Sequence, residues 1–594
     1  MSAKIISFVQ KHNTKFIILF FAVIFAVGCV ITPHYGMPID DAGEDYILVS
    51  NAKHIFKTLN PGGYQKAYDR NPGYFDWIDD LPDFIERDHG QSTHYPIGFL
   101  AMIAGSYNGQ ENSPSWARNF VQHKFLYRHY YNFCLCFIAL IYFYFIVKFL
   151  TTKKIFGLLA VVFVLISPRI FADMFYNSKD MMAFACMAPV IYHGIMFIYK
   201  RGFGQVVCFA LACAFAVNMR LPCVILPLAL FCAAVVCFAF GSRKAGKLNW
   251  AALALFPFFS AVFYYIITPA AWSDFPGHIK FVYECSANFN RWDGRVLYNG
   301  RYYQPFYDTF PDLPWHYLPK MILMTTPVVI TLLFVLGFFF TFRRMSGQKF
   351  RDYLSGRDFL AAPVLGFTIV TIAAPIIFGS NIYNGWRQMY FCYAGIVVIA
   401  AYSASVMLEN FDFNCKAIFT RKKPSVARVL KFLVAGAIAL QICSTAGWQV
   451  AKHPYQFMYY NFLAGSNPQD RYEVDYWQTG NYYLVMQAMK DIEPEERLRI
   501  GSLDGHLSSW GCRENYALWP ESIASRVDLV DNLDEADYIM INPLYYNAVN
   551  NPDAPVKFSQ VYEKLSEGRK CYTVFIGGGP ALALIAADQP FPDF

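Results

Sequence analysis

Long apolar runs alternate with short basic connectors over most of this chain, and three long polar stretches interrupt the alternation. The hydrocarbon core of a bilayer is about 30 Å thick and takes roughly 20 apolar residues of helix to cross. Eleven runs reach or approach that length: 16–32, 131–149, 154–170, 181–199, 204–221, 222–240, 250–268, 319–341, 358–379, 386–408 and 429–448. Two of them nearly fuse at Leu221-Pro222. Charged residues inside the runs are almost absent, which weighs against a transport path through them.

The connectors orient the runs. Lys4, Lys11 and Lys15 precede the first run, and every second connector after it is basic: Lys153/Lys154, Lys200/Arg201, Arg243/Lys244/Lys247, Arg343/Arg344/Lys349/Arg351, and Arg421/Lys422/Lys423 with Arg428 and Lys431. Positive residues favour the cytoplasmic side. The N-terminus is therefore expected inside, and 33–130, 269–318 and the tail from 449 outside. The first run is long for a signal peptide and reads as an uncleaved anchor, although Ala26-Val27-Gly28-Cys29 faintly resembles a lipoprotein cleavage box. The expected organisation is a transmembrane module over 1–448, with outer loops 33–130 and 269–318, and a small α/β domain over 449–594. In that domain RLRIGSL, ADYIMINPL and CYTVFIGG read as short buried strands.

Composition agrees with the pattern. Of 594 residues 56% are hydrophobic, 18% aromatic and only 16% charged, where a soluble domain carries about 25% charged residues. The net charge of +7 sits in the short connectors and does not indicate nucleic-acid binding. Most of the 15 cysteines lie in apolar runs and act as small hydrophobes. Cys512 and Cys571, in the polar tail, either bridge in an oxidising compartment or stay free.

Chemistry is expected where polar residues meet the membrane surface. PHYGMPIDDAGEDY follows the first run and places Asp40, Asp41, Glu44 and Asp45 at a helix exit. A carboxylate there suits a general base taking the proton of an acceptor hydroxyl, while a solvated acidic loop start is the plain alternative. Arg169, Lys179, Arg220 and Arg387 fall at the outer edges of the runs. Guanidinium groups at that depth suit a lipid phosphate, and the alternative is snorkelling or pairing with Asp173 and Asp180. The 269–318 loop is rich in Tyr, Trp, Asn and Asp, as a sugar-binding face is, and an interfacial aromatic belt accounts for Trp315 and Tyr317 equally well. Glu44, His94, Asp180, Asp293, Tyr303 and His316 are candidates for the substrate pocket. Asp40, Asp41 and Asp180 are the acids available to a divalent metal, and no spacing demands one or any other cofactor.

IDDAGEDY, THYP, SPRIFADMFYNSKD, RWDGRVLYNGRYY with DLPWHYLP, YNGWRQMYF, and HPYQFMYYNFLAG with YEVDYW occur in an order that resembles the GT-C superfamily of integral membrane glycosyltransferases. The likeness runs from about residue 37 to 480, and the branch it is most similar to holds protein O-mannosyltransferases and the aminoarabinose transferase of lipid A. The resemblance implies a polytopic helical fold and a sugar donor on a polyprenyl (undecaprenyl) phosphate. It implies an acceptor that is a glycan, lipid or protein, and inversion at the anomeric carbon. Asp40 stands at the family's catalytic acid, and Asp41 replaces the Glu beside it. Tyr95 replaces the first proline of a His-Pro-Pro element, which weakens a role for His94. The expected activity is glycosyl transfer on the outer face of a bacterial inner membrane. The rivals are a flippase of lipid-linked sugars, a surface-polysaccharide polymerase or ligase, and a membrane scaffold presenting the tail.

Overall fold

The apolar runs form a helical bundle because a backbone in hydrocarbon must satisfy its own hydrogen bonds. The computed structural model describes residues 13–287, 295–303, 312–346, 349–380, 382–408, 426–503, 508–543 and 557–589. Among the described residues, nine helices are long and apolar enough to span a bilayer, from Thr14–His34 to Arg428–Ala451. A pair bent by 76°, Lys154–Leu165 and Pro168–Tyr176, and the shorter Phe203–Met219 helix account for the other two apolar runs. The chain is a multi-pass helical membrane protein with a small C-terminal sheet.

Two runs break where proline removes a helical donor. At 154–170, Ser167 is extended and Pro168 starts a new nine-residue helix in a different direction. That turn carries Arg169 and Asp173 into the interior, where both are buried. At 319–341, Thr326 is extended ahead of Pro327, and the run divides into Tyr317–Thr325 and Val328–Ser346. The helices Asp180–Lys200 and Arg387–Leu408 are the most enclosed, each with 83% of its apolar window buried, against 11% for the first and last spans. Asp180 and Arg387 thus stand at the starts of the two central helices.

The first polar loop has its own structure. Helices Asp41–Leu59, Pro61–Arg70, Pro72–Trp77 and Tyr95–Gly105 enclose a small core around Leu48, Ala52, Phe75 and Met102. The Ser115–Thr151 helix runs from this loop into the bundle with a kink at His123 (φ −119°, ψ 16°), and Arg128 and His129, just past the kink, are buried. Arg128 and His129 precede the 131–149 apolar run, which itself stays nearly free of charge.

The second polar loop carries a hairpin of β1 (Val296–Tyr298) and β2 (Arg301–Tyr303), and in the tail β3 (Leu498–Ser502), β4 (Val527–Leu529), β5 (Tyr538–Ile541), β6 (Cys571–Ile576) and β7 (Gly579–Ala586) form one sheet in the order β4-β3-β5-β7-β6. β3 pairs in parallel with β4 and β5, and β7 pairs antiparallel with β5 and β6. The three strands read from the sequence are β3, β5 and β6. The segment before the sheet, from Tyr455 to Tyr482, packs into the same hydrophobic core as the spanning helices. Cys512 and Cys571 are both free thiols, so no bridge joins them.

Candidate active site

Carboxylates and cations from four separate parts of the chain meet at one end of the bundle. Asp40 precedes the Asp41–Leu59 helix, whose first turn carries Asp41 and Glu44, where acids favour the positive end of the helix dipole. Arg387 Nη2 lies 3.3 Å from Asp40 Oδ2, and its Nη1 lies 3.3 Å from Asp180 Oδ2. Arg220, just past the Phe203–Met219 helix, donates to the other Asp180 oxygen. Lys179 Nζ lies 3.2 Å from Glu44 Oε1, and Gln91 donates to Oε2 of the same Glu44. Lys179 Nζ also contacts the His89 ring, 2.8 Å from Nδ1.

Asp41 points the other way. Its Oδ1 is 3.0 Å from Arg128 Nη2, while Arg128 Nη1 donates to the Asp41 carbonyl at 3.0 Å and lies 3.4 Å from Asp45 Oδ1. Lys124 Nζ is 2.5 Å from Asp45 Oδ2. Burial pushes the Asp41 carboxyl up to about 7 against the opposing pull of Arg128. The shared guanidinium, divided between two carboxylates, does not fully offset desolvation. The Asp40 side chain is 46% exposed, against 2% for Asp41 and 0% for Asp180, so Asp40 is the acid that an incoming molecule can reach.

A small cleft open to solvent lies among these groups, lined by Asp40, Asp41, Glu44, Lys179, Arg387, Trp477 and neighbouring residues. Arg387 is held in place by its own turn. Asn384 and Gly385 both have left-handed φ, 54° and 74°, which an Asn-Gly pair adopts readily. The Gly385 N–H donates to Glu473 Oε2 at 3.2 Å, and Tyr317 donates its hydroxyl to the Gly385 carbonyl at 3.0 Å. The guanidinium lies 4.4 Å from the Trp477 ring centre, a contact in which ring and cation attract. Burial raises Glu473 to about 8 and Asp475 to about 7, in each case against backbone N–H donors.

The other expected residues lie around this network. Arg169 is buried, donates from Nε to the Tyr459 carbonyl at 3.0 Å and stacks 4.5 Å from the Tyr460 ring centre. It belongs to a layer of tyrosines beneath the cleft rather than to its lining. His94 is fully buried: Nε2 donates to Asn132 Oδ1 at 2.5 Å and Nδ1 accepts from Thr93 Oγ1 at 2.9 Å. Burial, with Arg128 nearby, lowers it to about 3, so the ring is neutral. His316 Nδ1 accepts from the Tyr298 hydroxyl at 2.7 Å, and Tyr303 packs against Tyr298 in the same aromatic group. This group sits on the hairpin of β1 (Val296–Tyr298) and β2 (Arg301–Tyr303), whose Tyr298 bridges to Tyr472. Asp293 lies outside the described residues.

Among the described residues no three His, Cys, Asp or Glu side chains converge to hold a metal ion. Between Asp40 and Asp180 stands the Arg387 guanidinium, in the position that a bridging cation would need. Reading the sequence alone missed Arg128, Lys124, Glu473 and Trp477. Glu473 and Trp477 were visible as part of YEVDYW, and Arg128 only as a cation just ahead of an apolar run.

No protein-family model matches the sequence, and no curated protein matches it. Among solved structures, ArnT from Cupriavidus metallidurans in the apo state is similar at 12% identity with a TM-score of 0.43, over 98% of this chain and 100% of that one. ArnT from the same organism bound to undecaprenyl phosphate is similar at 11% identity with a TM-score of 0.41, over 97% and 99% of the two chains. At such distance these likenesses say nothing of this chain's substrate or of the roles of its residues.

Proposed function

We propose that the chain is a glycosyltransferase that moves a sugar from a polyprenyl phosphate to an acceptor hydroxyl at the outer face of a bacterial inner membrane. The observation that carries this reading is a half-exposed Asp40 carboxylate in a membrane-end cleft, beside Arg387, with Arg220 and Lys179 adjoining. A base next to cations is what transfer from a phosphate requires. The acceptor hydroxyl gives its proton to Asp40 as its oxygen bonds to the anomeric carbon. The bond from that carbon to the phosphate oxygen breaks, and the electron pair leaves with the polyprenyl phosphate. Arg387, Arg220 and Lys179 stabilise the charge growing on that phosphate. Asp180 holds the two arginines in place, and Arg128 holds Asp41 away from the reacting centre. The order of motifs supports this reading, and the basic connectors support the orientation.

The test is release of polyprenyl phosphate from a panel of short-chain polyprenyl-phosphate sugars, with cell-envelope lipid as acceptor. Release from one donor, lost in Asp40→Asn and kept in part in Asp41→Asn, is the expected result. Equal release by wild type and Asp40→Asn removes the base from the reaction. No release from any donor moves the assignment to a flippase of lipid-linked sugars.

A further inference from the structure

The end of the bundle opposite the cleft gathers arginines of a different kind. Arg201 follows the Asp180–Lys200 helix, Arg243 follows the Ile225–Phe240 helix, and Arg357 precedes Ala361–Ile377. Each lies over aromatic rings: Arg201 is 4.8 Å from the Phe238 ring centre, Arg243 is 5.2 Å from Tyr199, and Arg357 is 4.7 Å from Phe149. Among the described residues no carboxylate forms an ion pair with any of the three, whereas Arg344, at the same end, reaches Asp358 at 3.8 Å. A small cleft open to solvent lies beside Arg201 and Arg243, lined also by Tyr199, Cys237, Ser355 and Gly356.

We propose that this cleft is a second anion site, which takes a phosphate group through Arg201, Arg243 and the Ser355 hydroxyl. Three features separate it from an ordinary basic connector. Arg201 Nε is buried with no hydrogen-bond partner, a donor without its acceptor. Arg201 also has φ 59°, a left-handed conformation in which glycine is the easier residue, although Gly202 stands immediately after it. Ser355 ties the two loops together, accepting from the Arg243 N–H at 3.3 Å and lying 3.1 Å from Ser242 Oγ. The cations are thus fixed near one another without the carboxylate that neutralises such groups at the other end. A phosphate supplies the missing acceptor and charge, with the bidentate geometry guanidinium favours. Its source is a phospholipid headgroup of the adjoining leaflet or a soluble phosphate.

Native mass spectrometry of the detergent-solubilised full chain tests this, with phosphatidylglycerol titrated against phosphatidylcholine and with inorganic phosphate as competitor. The expected result is retention of phosphatidylglycerol at least tenfold above phosphatidylcholine, lost in Arg201→Gln/Arg243→Gln and largely kept in Arg243→Lys. Lys148→Gln serves as control, because Lys148 is a cation at the same end that lies over Tyr144 and Phe145 instead of in the cleft. Displacement of the lipid by phosphate at low concentration identifies a soluble ligand as the source, and its failure identifies the headgroup. Wild-type retention in the double variant, or an equal loss in Lys148→Gln, overturns the site. Melting temperatures of each variant separate a lost ligand from a lost fold.

Discussion

The two ends of the helix bundle use arginine in opposite settings. At one end Arg128, Arg220 and Arg387 each meet a carboxylate, and two of them meet it in a buried or nearly buried position. At the other, Arg201, Arg243 and Arg357 lie over aromatic rings without acid partners among the described residues. A paired arginine has a fixed position and direction before any substrate arrives, which is the condition for stabilising charge that appears only in a transition state. An unpaired arginine over a ring attracts whatever anion the surroundings provide. Under the two proposals above, the difference between the ends is one between a site for transfer and a site for a phosphate group.

The sharpest way to break this contrast is to remove the one reachable carboxylate. Asp40→Asn is expected to lower kcat/KM by roughly 10²–10⁴-fold, the range for loss of a general base, with little change in melting temperature because the side chain is half exposed. A rate check with the donor identified above decides it: turnover within a few-fold of wild type would falsify the assignment of Asp40 as base. Arg387→Gln is expected to cost about 10²–10³-fold, the range for losing one preorganised donor to developing charge. It also removes a bridge between Asp40 and Asp180, so its melting temperature falls as well. Arg387→Lys recovers only part of the rate, since an ammonium cannot hold two carboxylates in the fork geometry. Full activity in the lysine variant would mean that the charge matters and the bridge does not.

How the sequence revealed one of these ends and hid part of the other follows from what each residue does. All eleven apolar runs were legible because burial in a bilayer demands unbroken stretches of nonpolar residues. The breaks at Ser167-Pro168 and Thr326-Pro327 carried a local signal in the proline, but their consequence, Arg169 turned inward, depends on packing. Asp40, Asp180, Arg220 and Arg387 stood out as polar residues at run edges. Arg128 did not, because it stands ahead of the apolar run 131–149, on a kinked helix that begins in the loop, and its acid partners Asp41 and Asp45 are far away in sequence. Glu473 acts through the Gly385 N–H, 88 residues away in sequence, and only the fold brings the two together. Two strands of the tail were missed for local reasons. β4 is three residues long, and β7 reads GPALALIA, rich in alanine and leucine that favour helix.

A smaller effect distinguishes the ends by pH. The Asp41 carboxyl moves from 3.8 to about 7 on folding, so the folded chain binds that proton more tightly than the unfolded chain does. The stability this contributes is present below about 4 and is lost as pH rises through about 7. The melting temperature of wild type relative to Asp41→Asn is therefore expected to fall across that window and to level off above it. A flat difference for Asp41→Asn across the window would mean that the carboxylate stays ionised beside Arg128.

His94 gives the smallest expected effect and the closest test of what belongs to the reactive end. The sequence makes it a candidate for the pocket, while the structure locks it between Asn132 and Thr93, outside the cleft lining. A neutral ring with both nitrogens engaged has no proton-transfer role to lose. His94→Gln should then cost far less than the roughly 10²-fold minimum expected for a catalytic acid or base, and about 1 kcal/mol of stability for each hydrogen bond not remade. Its pH signature runs opposite to that of Asp41. Because folding lowers His94 from 6.5 to about 3, its contribution is present above 6.5 and lost as pH falls toward 3, where the unfolded chain takes up the proton first. The acid limb of the wild-type stability curve should therefore flatten in His94→Gln while turnover near neutrality changes little. A large rate loss with an unchanged acid limb would place His94 at the reacting centre, and the boundary of the prepared end would have to be redrawn to include Asn132.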